Sequence, residues 1–109
     1  MLVIPFDKVR PRHAPLVGAK ALSLAVLAQA GVRVPGGLVV TTEAYRRYLT
    51  AAGIADQVRR ELSRRPIDEM RWEEMWDASL RIRNAFLKTA LPPPLRRSLL
   101  RAVRKQFEG

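Results

Sequence analysis

The sequence has no cysteine and a single histidine, His13. Without thiols, disulfides, thiolate zinc sites and thiol catalysis are excluded. One imidazole gives no basis for a metal site built from protein ligands alone. No apolar run approaches the roughly 18–20 residues of a membrane-spanning helix. The opening MLVIPF carries no basic segment and no small-residue cleavage site. It therefore does not read as a secretory leader, and a cytoplasmic chain with no membrane partner is the expectation. Acidic residues are also scarce, 10 against 20 lysines and arginines, for a net charge of +10. That surplus attracts anions in general, whether nucleotides, nucleic acid or an acidic neighbouring domain, and does not choose among them. Glutamates and aspartates fall at helix starts and on helix faces, with no constellation for acid–base catalysis. His13 has no serine or aspartate partner at a recognisable spacing, so a catalytic triad is not supported.

What is present is helical pattern and punctuation. The 48% apolar content over 109 residues fits one small domain with a modest core. Leu2–Phe6 reads as a strand, and Arg10–Pro15 as a proline-bearing loop. A helix is predicted from about Val17 to Ala30, with Val17, Ala21, Leu24 and Ala28 on one face and Gly31 at the C′ position. After the Pro35-Gly36-Gly37 turn, Leu38–Thr41 reads as a second strand. It is placed beside the first, with the helix packed across both. Thr41 or Thr42 caps a helix running to about Ala52, with Glu43 in its first turn. Gly53 breaks it. A short helix follows over Ile54–Ser63. Asp68 is the predicted cap of a long helix from Glu69 to Thr89. Pro92-Pro93-Pro94 then separates a last helix, Leu95–Phe107. The fold class is α+β and mostly helical, with two short strands and about five helices. Residues 1–52 form a small α/β element and residues 53–109 a helical subdomain.

In the long helix, Trp72, Met75, Trp76, Ser79, Ile82, Phe86, Leu87 and Ala90 share one stripe. The tryptophans read as core anchors. Arg83, near the middle of the stripe, reads as a snorkelling or ion-paired residue between helices. The last helix sets Arg96, Arg97, Arg101, Arg104 and Lys105 around Leu95, Leu99 and Val103. A charged helix surface of this kind is usually only solvated.

The best candidate for chemistry is Lys20. It opens a helix directly after Gly18 and Ala19. A missing side chain leaves backbone N–H groups open, and a helix N-terminus favours anions, so Gly18, Ala19 and Lys20 form a candidate phosphate cradle. The spacing is not that of a Walker A loop.

The segment VGAKALSLAVLAQAGVRVPGGLVVTTEAYRRYL closely resembles the N-terminal nucleotide-binding domain of the phosphoenolpyruvate synthase and pyruvate phosphate dikinase family. Members typically read VGGKGASLAEM, then G-[IV]-x-VPPGFVVTTEAY. VIPFDKV is similar to the family's opening strand, and the helices after residue 70, broken at the prolines, are similar to later family helices. The rifampicin phosphotransferases share this domain. The resemblance implies the first part of an ATP-grasp fold, with Lys20 at the position of the lysine that contacts ATP phosphates. It implies a complete enzyme in which ATP, with magnesium, phosphorylates a histidine on a swivelling domain. That phosphohistidine then converts pyruvate to phosphoenolpyruvate at a barrel domain. The magnesium ligands would lie outside this chain. The implied partners are ATP and the remainder of the ATP-grasp domain, the histidine domain and the barrel, and not nucleic acid.

Three positions depart from the family wording: Ala19 replaces its second glycine, Ala21 replaces glycine or asparagine, and Gly36 replaces a proline. The family's next segment, an arginine-serine-serine strand, does not occur in these residues. The implied state is therefore one incomplete domain over 1–109, inactive alone. The alternative is a stand-alone basic module for nucleic acid or an acidic protein partner, or a degenerate non-catalytic subunit.

Overall fold

A computed structural model describes residues 1–107 of the chain. Two short strands, β1 (Val3–Pro5) and β2 (Leu38–Val40), pair antiparallel. The register sets Val3 opposite Val40, Ile4 opposite Val39 and Pro5 opposite Leu38. The ladder is extended by Thr41 N–H donating to the Leu2 carbonyl at 3.0 Å and Phe6 N–H to the Gly37 carbonyl at 3.1 Å. Gly37 leaves room for the Phe6 ring at this corner. A β-carbon there would lie 2.7 Å from the Phe6 ring, so the ring would have to shift.

Five helices occur among the described residues: α1 (Ala14–Gln29), α2 (Thr42–Ala51), α3 (Ile54–Leu62), α4 (Trp72–Lys88) and α5 (Pro93–Phe107). This is the mostly helical α+β fold with a two-stranded sheet that the pattern predicted. The chain divides into two compact units, Met1–Arg47 together with the stretch from Pro93, and Tyr48–Pro92.

In the first unit the period-2 pattern of the strands turns Ile4 and Val39 inward. With Val9 and Ala25 they make a buried cluster, flanked by Phe6, Val17, Ala21 and Leu22. The first helix thus packs across the sheet as its apolar face requires. Its end is a Schellman pair: Val32 N–H reaches the Leu27 carbonyl at 3.0 Å and Gly31 N–H the Ala28 carbonyl at 3.2 Å. Helix α5 also packs on both strands, with Leu95 buried.

In the second unit α3 packs on α4. The buried residues are Ile54 and Glu61 on α3 and Ala78 and Ala85 on α4. Glu61, 5% exposed, is held by Arg81 at 2.8 Å and Arg64 at 3.1 Å. The Tyr48 hydroxyl reaches the carbonyls of Thr89 (3.0 Å) and Phe86 (3.2 Å) at the end of α4.

Two expectations for this helix are corrected. Asp68 does not cap it. A tight turn over Ile67–Glu69 closes its own bonds, Met70 and Arg71 are extended, and the helix starts at Trp72. Nor are the tryptophans core anchors. Trp72 is 72% exposed and Trp76 62% exposed. The small Ala78 and Ala85 form the packed face instead, so the predicted stripe, Arg83 included, looks largely outward.

Candidate functional site

The segment before the first long helix is more ordered than a loop. Pro11–His13 makes a tight helical turn. His13 is buried, and its Nδ1 accepts the Arg10 N–H at 2.9 Å. The histidine is thus a local structural residue. Gln29 ties the same segment down, donating from Nε2 to the Val9 carbonyl at 2.7 Å.

Helix α1 is not continuous. Ala14–Val17 makes a first turn, Gly18 interrupts it at φ 77° and ψ 171°, and the helical path resumes at Ala19. That combination is essentially restricted to glycine. Nothing lies within 4 Å of where a Gly18 β-carbon would project, so the turn faces open space. The position needs glycine for its backbone angles and not for room.

Lys20 therefore sits in the first turn of the resumed helix and is exposed. The helix dipole disfavours a cation there by a few tenths to about 1 kcal/mol. Neither Ala19 nor Ala21 offers a carboxylate in compensation, and Lys20 makes no ion pair among the described residues. The start of the resumed helix and an exposed lysine without an ion pair thus share one turn. Ala21 points the other way, packing against the buried cluster.

A further element meets this turn, and the sequence carried only half of its signal. Thr41, buried, is the true cap of α2: its hydroxyl oxygen accepts the Ala44 N–H at 3.2 Å. Its own proton is shared between the carbonyls of Met1 (2.8 Å) and Leu2 (3.2 Å). Thr42 is thereby released for another task. Its hydroxyl donates to the Pro15 carbonyl at 3.2 Å, which ties the start of α2 to the turn ahead of Gly18. Beside it, Glu43 accepts from the N-terminal ammonium at 2.7 Å and from Arg47 at 2.9 Å. The ammonium holds the Glu43 carboxyl below its usual range, and Arg47 adds to the effect.

Two open grooves, of about 350 and 330 Å³, run between β1 and α5. Arg47, Ser98, Arg101 and Lys105 line the first, and Lys8 and Lys105 the second. Neither is lined by Lys20.

Residues 14–108 match the family described as the pyruvate phosphate dikinase AMP/ATP-binding domain. The chain belongs to that family. The pyruvate phosphate dikinase match runs from the first turn of α1 through α5 and so includes the Gly18–Lys20 turn and the Thr42 tie. Among curated proteins, the chain is 42% identical over 104 residues to a phosphoenolpyruvate synthase of Aeropyrum pernix, covering 95% of this chain and 13% of that protein. It is 33% identical to a phosphoenolpyruvate synthase of Neisseria meningitidis, over 85% of this chain and 12% of the relative. It is 32% identical to a rifampicin phosphotransferase of Streptomyces sviceus, over 97% and 12%. The chain thus spans about an eighth of the length of these relatives.

Proposed function

We propose that this chain is the N-terminal portion of the ATP-binding, ATP-grasp-type domain of a phosphoenolpyruvate synthase-like phosphotransferase. Residues 1–52 would form its nucleotide-binding element. Lys20 contacts ATP phosphates, and the backbone N–H groups of Gly18 and Ala19 complete the cradle. The observation that carries this reading is the lysine itself. It stands uncompensated in the first turn of a helix, behind a glycine-only backbone, in a chain of an AMP/ATP-binding family. Locally unfavourable placements of this kind are expected at functional sites. A bound phosphate would neutralise the ammonium and accept from N–H groups at the helix start.

Ala19 and Ala21 are compatible with this role. The Ala21 methyl is absorbed by the core, and Ala19 is exposed beside an open Gly18. The chain's contribution is positioning and charge stabilisation, the two effects on which phosphoryl transfer chiefly depends. Magnesium, when bound with ATP, would supply charge neutralisation at the phosphates. Its ligands would come from elsewhere, since the described residues hold no cluster of three or more carboxylate or imidazole ligands. The phosphoryl acceptor, a histidine of another domain, and pyruvate beyond it would likewise lie outside these residues. The chain alone is expected to be inactive.

A chimera provides the test. This chain replaces the matching segment of the Aeropyrum pernix phosphoenolpyruvate synthase, and transfer of the labelled phosphoryl group from ATP to histidine is followed. The chimera should be labelled. Lys20→Ala should abolish labelling while the helical circular dichroism stays unchanged. Full labelling of the Lys20→Ala chimera would refute the assigned role.

A further inference from the structure

The turn that leads into Gly18 does not sustain itself. Ala14–Val17 is a single helical turn, too short to offset the entropy of fixing its own backbone. Pro15 within it has no N–H to donate. Gly18 adds no side chain, and nothing lies within 4 Å of where one would project. The direction of the Gly18 and Ala19 amides therefore depends on what holds the turn from outside. Val17 packs against the buried cluster, and the Thr42 hydroxyl donates to the Pro15 carbonyl at 3.2 Å.

That carbonyl has a particular place in the chain. In an unbroken α-helix it would accept from the Ala19 N–H, four residues on. At φ 77° and ψ 171°, Gly18 swings the peptide that carries the Ala19 N–H off the helical path. Glycine adopts negative φ as readily as positive φ, so the kink competes with a continuous helix in which that N–H turns back onto Pro15. A donor already seated on the Pro15 carbonyl favours the kinked form. Thr42 is itself firmly placed, because the buried Thr41 beside it is tied to the strand end. The Thr41 N–H donates to the Leu2 carbonyl at 3.0 Å, and its hydroxyl to the Met1 carbonyl at 2.8 Å.

We propose that Thr42 is a positioning residue for phosphate binding. Its hydroxyl occupies the Pro15 carbonyl and so keeps the Gly18 and Ala19 amides, with Lys20, in the orientation that receives ATP. Thr42 acts through the turn and not by contact with the nucleotide. This role rests on the reading of the Gly18–Lys20 turn as the phosphate site. A residue of this kind sets the fraction of molecules ready to bind. Its loss raises the ATP concentration required and leaves the rate at saturation intact.

The test follows histidine labelling of the Aeropyrum pernix chimera against ATP concentration. Thr42→Val should raise the half-saturating ATP concentration about fivefold, the equivalent of one such hydrogen bond, with the rate at saturating ATP unchanged. Thr42→Ser keeps the hydroxyl and should stay near wild type. Tyr48→Phe removes a hydroxyl bond of similar kind from the other unit. It should leave the ATP requirement unchanged, which separates positioning from a general loss of stability. An unchanged half-saturating concentration in Thr42→Val, or an equal rise in Tyr48→Phe, would overturn the proposal. Lys20→Ala, run alongside, keeps the two readings apart. If it abolishes labelling while Thr42→Val behaves as wild type, the phosphate site stands and the positioning role falls. If Lys20→Ala labels fully, the site itself falls, and the role of Thr42 with it.

Discussion

The Thr42 hydroxyl donates to the Pro15 carbonyl at 3.2 Å, across 27 positions of sequence. This bond fixes the start of one helix against the turn that precedes Gly18. It is available because Thr41, not Thr42, caps α2. Thr42→Val keeps the shape and removes the donor. It should lower stability by about 1 kcal/mol, the usual net value of such a bond, measured by urea denaturation. If the proposed phosphate site at Lys20 is correct, nucleotide binding should weaken with it, because the turn loses an anchor. Unchanged stability would show that the bond is not maintained in solution.

Gly18 stands where only glycine adopts the backbone angles comfortably. Gly18→Ala should cost about 1–3 kcal/mol from backbone strain, with no steric contribution, because the space beyond is open. Thermal unfolding distinguishes the two origins. If Gly18→Ser is as costly as Gly18→Ala, strain is the cause. A marked difference between them would point to contacts.

The Glu43 carboxyl ionises at a lower pH in the folded chain than in the unfolded one, because the N-terminal ammonium and Arg47 stabilise its charge. In the window between those two values the unfolded state binds more protons. The stabilisation is therefore complete above the ordinary glutamate range and is lost as pH falls through the depressed value. Glu43→Gln should flatten that acidic limb of the stability–pH curve and leave its form near neutrality unchanged. Urea midpoints of both proteins from neutral to acid pH are the measurement. Parallel curves would contradict the assignment.

Tyr48 is largely buried, and its hydroxyl satisfies carbonyls at the end of α4 while its ring lies 5.9 Å from that of Phe86. Tyr48→Phe keeps the ring and should cost about 1 kcal/mol. Hydrogen exchange should quicken in the last turn of α4 and not in α1. Uniform quickening across the chain would mean that the bond supports more than that helix end.

Local signals made much of this fold legible. Short apolar runs bounded by turn and charged residues gave the strands at Leu2–Phe6 and Leu38–Thr41, and Gly31, Gly53 and the prolines gave the helix ends, because these residues act on their own backbone. Lys20 behind Gly18 was visible for the same reason. Long-range choices were not legible. At 100° per residue α4 has more than one face able to pack. The small Ala78 and Ala85 won over the bulky Trp72 and Trp76, which depends on the partner helix and not on the helix itself. The Asp68 start failed because a three-residue turn consumed its bonds. The Thr42–Pro15 tie required knowing which of two adjacent threonines would be the cap.

The central claim is that phosphate is held at the Gly18–Lys20 turn. Amide chemical-shift mapping of the isotopically labelled chain during ATP titration tests it most directly. Saturable shifts should concentrate at Gly18, Ala19, Lys20 and Ala21 and vanish in Lys20→Ala. Shifts that centre instead on Arg47, Arg101 and Lys105 between β1 and α5, or that persist unchanged in Lys20→Ala, would contradict it.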